Sequence, residues 1–294
     1  MIKKIVFRVL LTTLIIFIAS LYSFANDSPK RIVSLSPNLT QVIYALGYLD
    51  QVVGVTIYDE FPPQVKDLSK VGGWINPNYE AIMALKPDLV VLMKDQDLSF
   101  GDKLRNLGLK TFIAKSNDSI KDIIQAISDL GEILGEKEEA KKLTLSIESS
   151  LNEVNKKTNN TKKKRVLLVV GRNPGTLEDI YVIGTNNYMD ELITLAGGEN
   201  VVENERTSIK ITKEAVYSFN PEVIIEINHL KIDREDEILD TWSNLKQVDA
   251  VRNNQVFILS SKVLLHPSQR IVEGARVLAE ILHPEMKEKY GNNN

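Results

Sequence analysis

Residues 71–91 read VGGWINPNYEAIMALKPDLVV, and residues 209–225 read IKITKEAVYSFNPEVII. Both contain Glu-Ala-apolar-x-x-apolar-x-Pro-acid followed by three apolar residues, with Glu80 and Glu214 standing 134 positions apart. The pattern is a physical unit. Asn78 or Thr212 can cap a helix N-terminus, and the Glu falls in the first turn, where the helix dipole favours negative charge. The Pro then ends the helix ahead of a buried strand. Leu85 matches Phe219, Pro87 matches Pro221 and Asp88 matches Glu222. A helix–turn–strand module written twice predicts two related lobes.

A second echo, in the same order, links NLTQVIYALG at 38–47 with NYMDELITLAG at 187–197, each trailed by a Val-Val pair. Around these, the short runs RIVSL, QVVGV, DLVVLM and KTFIA alternate with helix-period segments, which argues for parallel βαβ units. Between the lobes, apolar residues recur at helical spacing from Ser119 to Leu134. A second helix is predicted from about Lys137 to Thr158, with Ala140, Leu143, Ile147, Leu151 and Val154 on one stripe. It would be about 33 Å long, a strut joining the lobes. After the polar KKTNNTKKK come the strand RVLLVVG, a late strand in NNQVFILSS and a closing helix in PSQRIVEGARVLAEILH. The expected fold is α/β, two related lobes with parallel-sheet cores joined by one long bridging helix. Its expected boundaries are 26–135, 136–160 and 161–294.

Residues 1–25 read as a secretory signal. Lys3, Lys4 and Arg8 precede the apolar VLLTTLIIFIA, and Ser23-Phe24-Ala25 is a small-x-small site, so the mature chain is expected to begin near Asn26. An uncleaved anchor is the competing reading, because residues 9–25 approach the roughly 18 apolar residues of a spanning helix. Removing those three cations leaves 33 basic residues of 36 against 39 acidic ones, a net charge of −6, which argues against a nucleic-acid partner. The chain has no cysteine, so thiol catalysis, disulfides and Cys-based metal sites are excluded. The composition, 43% hydrophobic and 26% charged, is that of a globular protein with a proper core.

Catalytic signatures are missing. The sequence has no Gly-x-Ser-x-Gly elbow, phosphate loop or His-Glu-x-x-His, and its three histidines, His229, His266 and His283, are scattered. An exported α/β enzyme is therefore the distant alternative. Aromatics in turn-rich segments after strands are more informative: Tyr58 in VTIYDEFPP, Trp74 in VGGWINPN and Tyr181 in DIYVIGTN. Loops at the carboxyl ends of parallel strands are where α/β folds place ligand contacts, although each ring can also pack its own loop. Together they suit a bulky apolar ligand held by aromatic faces. Arg172, after the first strand of the second lobe, is either a solvated loop residue or an arm for ligand amides or carboxylates.

RIVSLSPNLTQVIYALG, VGVTIYDEFPPQVKDLSKVGG, NPNYEAIMALKPDLVV and LAGGENVV together resemble the periplasmic substrate-binding proteins of the cobalamin and iron-chelate ABC importers, over about residues 30–282. The resemblance implies a non-enzymatic receptor with no intrinsic cofactor, expected as a monomer in the periplasm. It would bind a corrinoid in a cleft between two lobes that hinge little, then deliver it to an inner-membrane permease dimer with its ATPase subunits. Glu80 and Glu214 are implied to dock one lobe each onto arginines of the two permease subunits; stabilising their own helices by about 0.3–1 kcal/mol is the simpler reading. Tyr58, Trp74 and Tyr181 match aromatic positions that line the corrinoid cleft. The chain also departs from the cobalamin-binding pattern. Ser208 stands where a tryptophan is expected six residues before the second docking Glu, and SSKVLLHPSQR carries Lys262 and His266 instead of an acidic, aromatic and basic cluster. Haem or a ferric siderophore therefore remain open as ligands, with Tyr58 or His266 available to ligate iron.

Overall fold

The computed structural model describes residues 28–115, 118–228, 235–260 and 264–285. The proposed signal segment, His229 and Lys262 lie outside the described residues. Two sheets organise the chain. The first has the order β3-β2-β1-β4-β5, formed by Ile32–Ser34 (β1), Val52–Val55 (β2), Ser69–Lys70 (β3), Leu89–Met93 (β4) and Thr111–Ala114 (β5), with every pairing parallel. Its crossovers carry the helix Pro37–Ala45 (α1), the short helix Tyr79–Ala84 (α2) and a helical segment at 94–106. Strands β1 and β4 are buried throughout, which is why they read as unbroken apolar runs.

Two helices lead to the second sheet, Ile120–Leu134 (α3) and Lys137–Thr158 (α4). Gly135 takes φ 81° and ends α3 in the left-handed conformation that glycine adopts without strain. Gly131 lets the two helices cross closely: a Cβ there would lie 2.3 Å from that of Ala140. Along α4 the expected stripe is the buried face, with Ala140, Ile147, Leu151 and Val154 at most 5% exposed and Leu143 packed against them. Its far end reaches the second sheet's helices, where the Thr158 hydroxyl donates to Leu195 O at 2.6 Å. One apolar core runs from Ile32 and Val91 of the first sheet through α4 to Val166, Ile225 and Leu278.

The second sheet has the order β11-β10-β6-β7-β9, with Lys164–Gly171 (β6), Ile180–Ile183 (β7), Ser208–Ile211 (β9), Val223–Asn228 (β10) and Val256–Ser260 (β11) on its path. Gly198–Asn200 (β8) adds to β6 in parallel. Helices Tyr188–Leu195 (α5), Lys213–Phe219 (α6), Glu235–Ser243 (α7) and Ile271–Leu282 (α8) complete it. Its register repeats that of the first sheet. Ile32 faces Leu89 there, and Val166 faces Val223 here, each residue 134 positions on.

Both sheets have the expected parallel cores, and the second adds an antiparallel strand to its own: β7 runs antiparallel to both β6 and β9. The link at 172–179 is too short for a parallel crossover, which needs about a dozen residues, so the chain returns as a hairpin. Elsewhere the duplicated module folds as its residues dictate. The Asn78 side chain accepts from Ala81 N and the Thr212 hydroxyl from Ala215 N, capping α2 and α6 with Glu80 and Glu214 in their first turns. Among the described residues, no helix is long and apolar enough to cross a membrane.

Candidate functional site

The carboxyl edge of the first sheet is built by the loops after β2, β3 and β4. In the first of these, Asp59 is 4% exposed and its Oδ2 accepts from Thr56 N at 2.9 Å and Thr56 Oγ1 at 2.6 Å. Tyr58 N donates to the same Thr56 hydroxyl. This tight turn directs the two intervening side chains outward: Ile57 is 57% exposed and Tyr58 is 56% exposed. Asp59 Oδ1 is buried without a hydrogen-bond partner, and burial pushes its carboxyl up against the opposing effect of the Thr56 hydrogen bonds to Oδ2.

Trp74 sits in the next loop, half-buried against the core. Its indole N–H donates to Asp95 Oδ2 at 3.2 Å, while its carbonyl accepts from Gln96 Nε2 at 3.0 Å. Gln96 is itself buried and also bridges Leu35 O and Met93 N, so the ends of β1 and β4 and the Trp74 loop share one anchor. The Tyr58 ring lies against the Trp74 loop. It is 3.4 Å from where a Cβ on Gly73 would stand, and Ile75 beside Trp74 is 79% exposed. Leu98, in the helical segment that follows β4, is 80% exposed.

The second sheet contributes Tyr181. It faces out of β7 opposite Gly171, the last residue of β6, and so lies at that sheet's carboxyl edge. The half-buried His266 belongs to a loop that docks on the first lobe. There the buried Ser268 hydroxyl bonds Gln41 Oε1 at 2.7 Å, and the Arg270 guanidinium lies 4.8 Å over the Phe61 ring. These contacts bring the loops after β11 and β2 together.

Arg172 corrects both readings made from sequence. It is neither solvated nor free to reach a ligand, because its side chain is 3% exposed and its Nε donates to Glu226 Oε2 at 3.0 Å. Its Nη1 donates to Thr176 O at 2.6 Å, and Trp242, fully buried, donates its indole N–H to the same Glu226 oxygen. Sequence reasoning also missed Ile57, Ile75, Asp95, Gln96 and Leu98. Ile57 and Ile75 adjoin the aromatics in turn-rich segments and were legible as neighbours; Leu98 had no local signal.

Glu80 and Glu214 are exposed on helices of the same design. The Glu214 carboxyl is held below its usual range first by its own backbone N–H and then by the Thr212 hydroxyl. Among the described residues, no group of three histidine or carboxylate side chains gathers to hold a metal ion.

A profile of the family described as periplasmic binding protein matches residues 32–263. An uncharacterized ABC transporter substrate-binding lipoprotein of Bacillus subtilis is 31% identical over 266 residues, covering 88% of this chain and 82% of its own. The crystal structure of the periplasmic vitamin B12 binding protein of Vibrio cholerae superposes with a TM-score of 0.74 at 25% identity, covering 88% of this chain and 98% of that one. A periplasmic haem-binding protein from Pseudomonas aeruginosa shares the fold at 22% identity and a TM-score of 0.76, covering 87% and 93%. The chain belongs to the periplasmic binding protein family and is a substrate-binding protein of ABC transporters, not an enzyme.

Proposed function

We propose that the protein is exported through residues 1–25, binds a corrinoid between the carboxyl edges of its two sheets in the periplasm, and hands it to an inner-membrane permease. The observation that carries this reading is the exposure of the large apolar side chains Ile57, Tyr58 and Ile75 in the two loops that meet at Gly73, beside the half-buried Trp74. Large apolar side chains clustered at the surface of a folded protein mark a binding site, and aromatic rings among them suit a large macrocycle. The likeness to a vitamin B12 binding protein supports a corrinoid. Tyr181 would close the site from the second sheet, and Glu80 and Glu214 would dock the two lobes on the permease subunits.

Haem is the second reading, favoured by the exposed Tyr58 and by His266 in a loop that meets the Tyr58 loop. Either group can ligate iron. Titration of residues 26–294 with cyanocobalamin, followed by tryptophan fluorescence, separates the two. Trp242 is fully buried and Trp74 lies beside the exposed side chains, so saturable quenching that disappears in Trp74→Ala is expected for a corrinoid receptor. No quenching, together with a Soret shift on adding haemin, would replace the corrinoid by haem.

A further inference from the structure

At the carboxyl edge of the second sheet, Tyr181 has a charged neighbour. Lys210 lies directly across from it in the β7–β9 pair, so the two side chains leave the sheet on the same face. Lys210 Nζ donates to Asp179 Oδ1 at 3.0 Å, and Asp179 Oδ2 accepts from Asn173 Nδ2 at 3.2 Å. Asp179 stands just before β7 with φ 49°, a left-handed conformation that Asp and Asn adopt more readily than other side chains. The hairpin is braced from within. Asn173 N donates to Glu178 O, and the buried Arg172, its Nε bonded to Glu226, holds Thr176 O at 2.6 Å. The ion pair is therefore placed by a fixed turn.

Both partners stay open to solvent, with the Lys210 side chain 57% and the Asp179 side chain 47% exposed. Each keeps the other ionised. The hydrogen bond from Lys210 holds the Asp179 carboxyl below its usual range, and the same bond raises the Lys210 ammonium. Among the described residues, the bonds above leave N–H donors on Lys210 and lone pairs on Asp179 unused. A lone lysine at this edge would recruit a carboxylate, and a lone aspartate would recruit a cation. The fixed pair has no net charge, and it offers a donor and an acceptor side by side next to an aromatic ring. The complementary group is a neutral one with an acceptor and a donor of its own. A primary carboxamide is such a group, its carbonyl accepting from Lys210 while its NH₂ donates to Asp179.

We propose that Asp179 and Lys210 form a carboxamide-reading subsite beside Tyr181. The inference rests on the corrinoid reading and deepens it. A corrinoid carries carboxamides around the rim of its macrocycle. Haem carries carboxylates, which meet here a lysine already neutralised and an aspartate that repels them. The pair then selects between flat macrocycles that Tyr181 alone would accept equally.

The test compares dicyanocobinamide, whose rim carries amides, with dicyanocobyrinic acid, the same macrocycle with carboxylates in their place, by calorimetric titration. Asp179→Asn suits the left-handed backbone and removes the carboxylate, and Lys210→Met removes the ammonium. Glu139→Gln, in the exposed Glu139–Lys142 pair on α4, removes the same charge elsewhere. The readout is the ratio of the two dissociation constants. Asp179→Asn is expected to shift it toward the acid by at least about fivefold and Lys210→Met toward the amide by about as much, with Glu139→Gln within about twofold of wild type. A ratio unmoved in both edge variants, with both compounds still bound, overturns the subsite and leaves the corrinoid reading standing. A shift in Glu139→Gln as large as that in Asp179→Asn does the same. Failure of the wild type to bind dicyanocobinamide overturns the corrinoid reading and the subsite with it. If Lys210→Met does not fold, Asp179→Asn decides alone.

Discussion

Arg31 and Arg165 perform the same task on the two sheets. Arg31 donates Nε and Nη2 to Leu85 O at 2.9 and 2.7 Å, and Arg165 donates Nη1 to Asn220 O at 3.1 Å and Nη2 to Phe219 O. Arg31 precedes β1, Arg165 is the second residue of β6, and each satisfies carbonyls at the C-terminus of the helix that carries Glu80 or Glu214. Asp88 accepts from Lys30 N and Arg31 N, and Glu222 accepts from Arg165 N, closing the same loop in each lobe. A cation at the negative end of a helix, bonded to orphan carbonyls, fixes that helix to its strand.

Replacing either arginine by alanine is expected to cost about 1 kcal/mol, since both are exposed and each loses charged hydrogen bonds to a helix terminus. Urea denaturation reads this directly. An unchanged midpoint in both variants would show that the clamp contributes nothing.

Arg172→Ala should cost more, about 3–5 kcal/mol, because it strands the Glu226 carboxylate in the interior. Adding Glu226→Gln to Arg172→Met should recover part of the loss, and a double-mutant cycle on chemical denaturation measures how much. Additive losses would mean that the pair is not coupled.

Ile75→Ser and Leu98→Ser remove side chains that are 79% and 80% exposed, so unfolding stability should stay within about 0.5 kcal/mol of wild type. If they grip the ligand, each should weaken cyanocobalamin binding by about 1 kcal/mol, or about fivefold. Calorimetric titration showing wild-type affinity in both would remove these residues from the site.

Asp59 supplies a pH dependence. Burial raises its carboxyl above the ordinary value of 3.8, so the native state holds more protons than the unfolded chain as pH climbs from there, and stability falls through that window. Asp59→Asn keeps an acceptor for Thr56 and cannot ionise. The variant's melting temperature should therefore gain on the wild type's between pH 4 and pH 7. A gap that narrows over the same range would contradict the assignment.

How much of this was legible beforehand depends on the range of the interaction. The caps Asn78 and Thr212, the stripe along α4 and the apolar runs of β1 and β4 are local patterns, set by helical and strand periodicity within a few residues. The duplicated module showed in the spacing of Glu80 and Glu214, and the same offset, had it been extended to Lys30-Arg31 and Lys164-Arg165, would have revealed the clamp as well.

Arg172 was not legible, because its burial depends on Glu226, 54 residues away, and on Trp242 beyond it. Nor was the reversal of β7, which follows from the short 172–179 link, or the exposure of Leu98 two residues from the buried Gln96 and Phe100. The sequence by itself determined two α/β units and the helix between them, because repetition and periodicity are written along the chain. Only the tertiary structure decided which side chains face solvent at the carboxyl edges and which charges are buried, because exposure and pairing are set by what residues distant along the chain bring into contact.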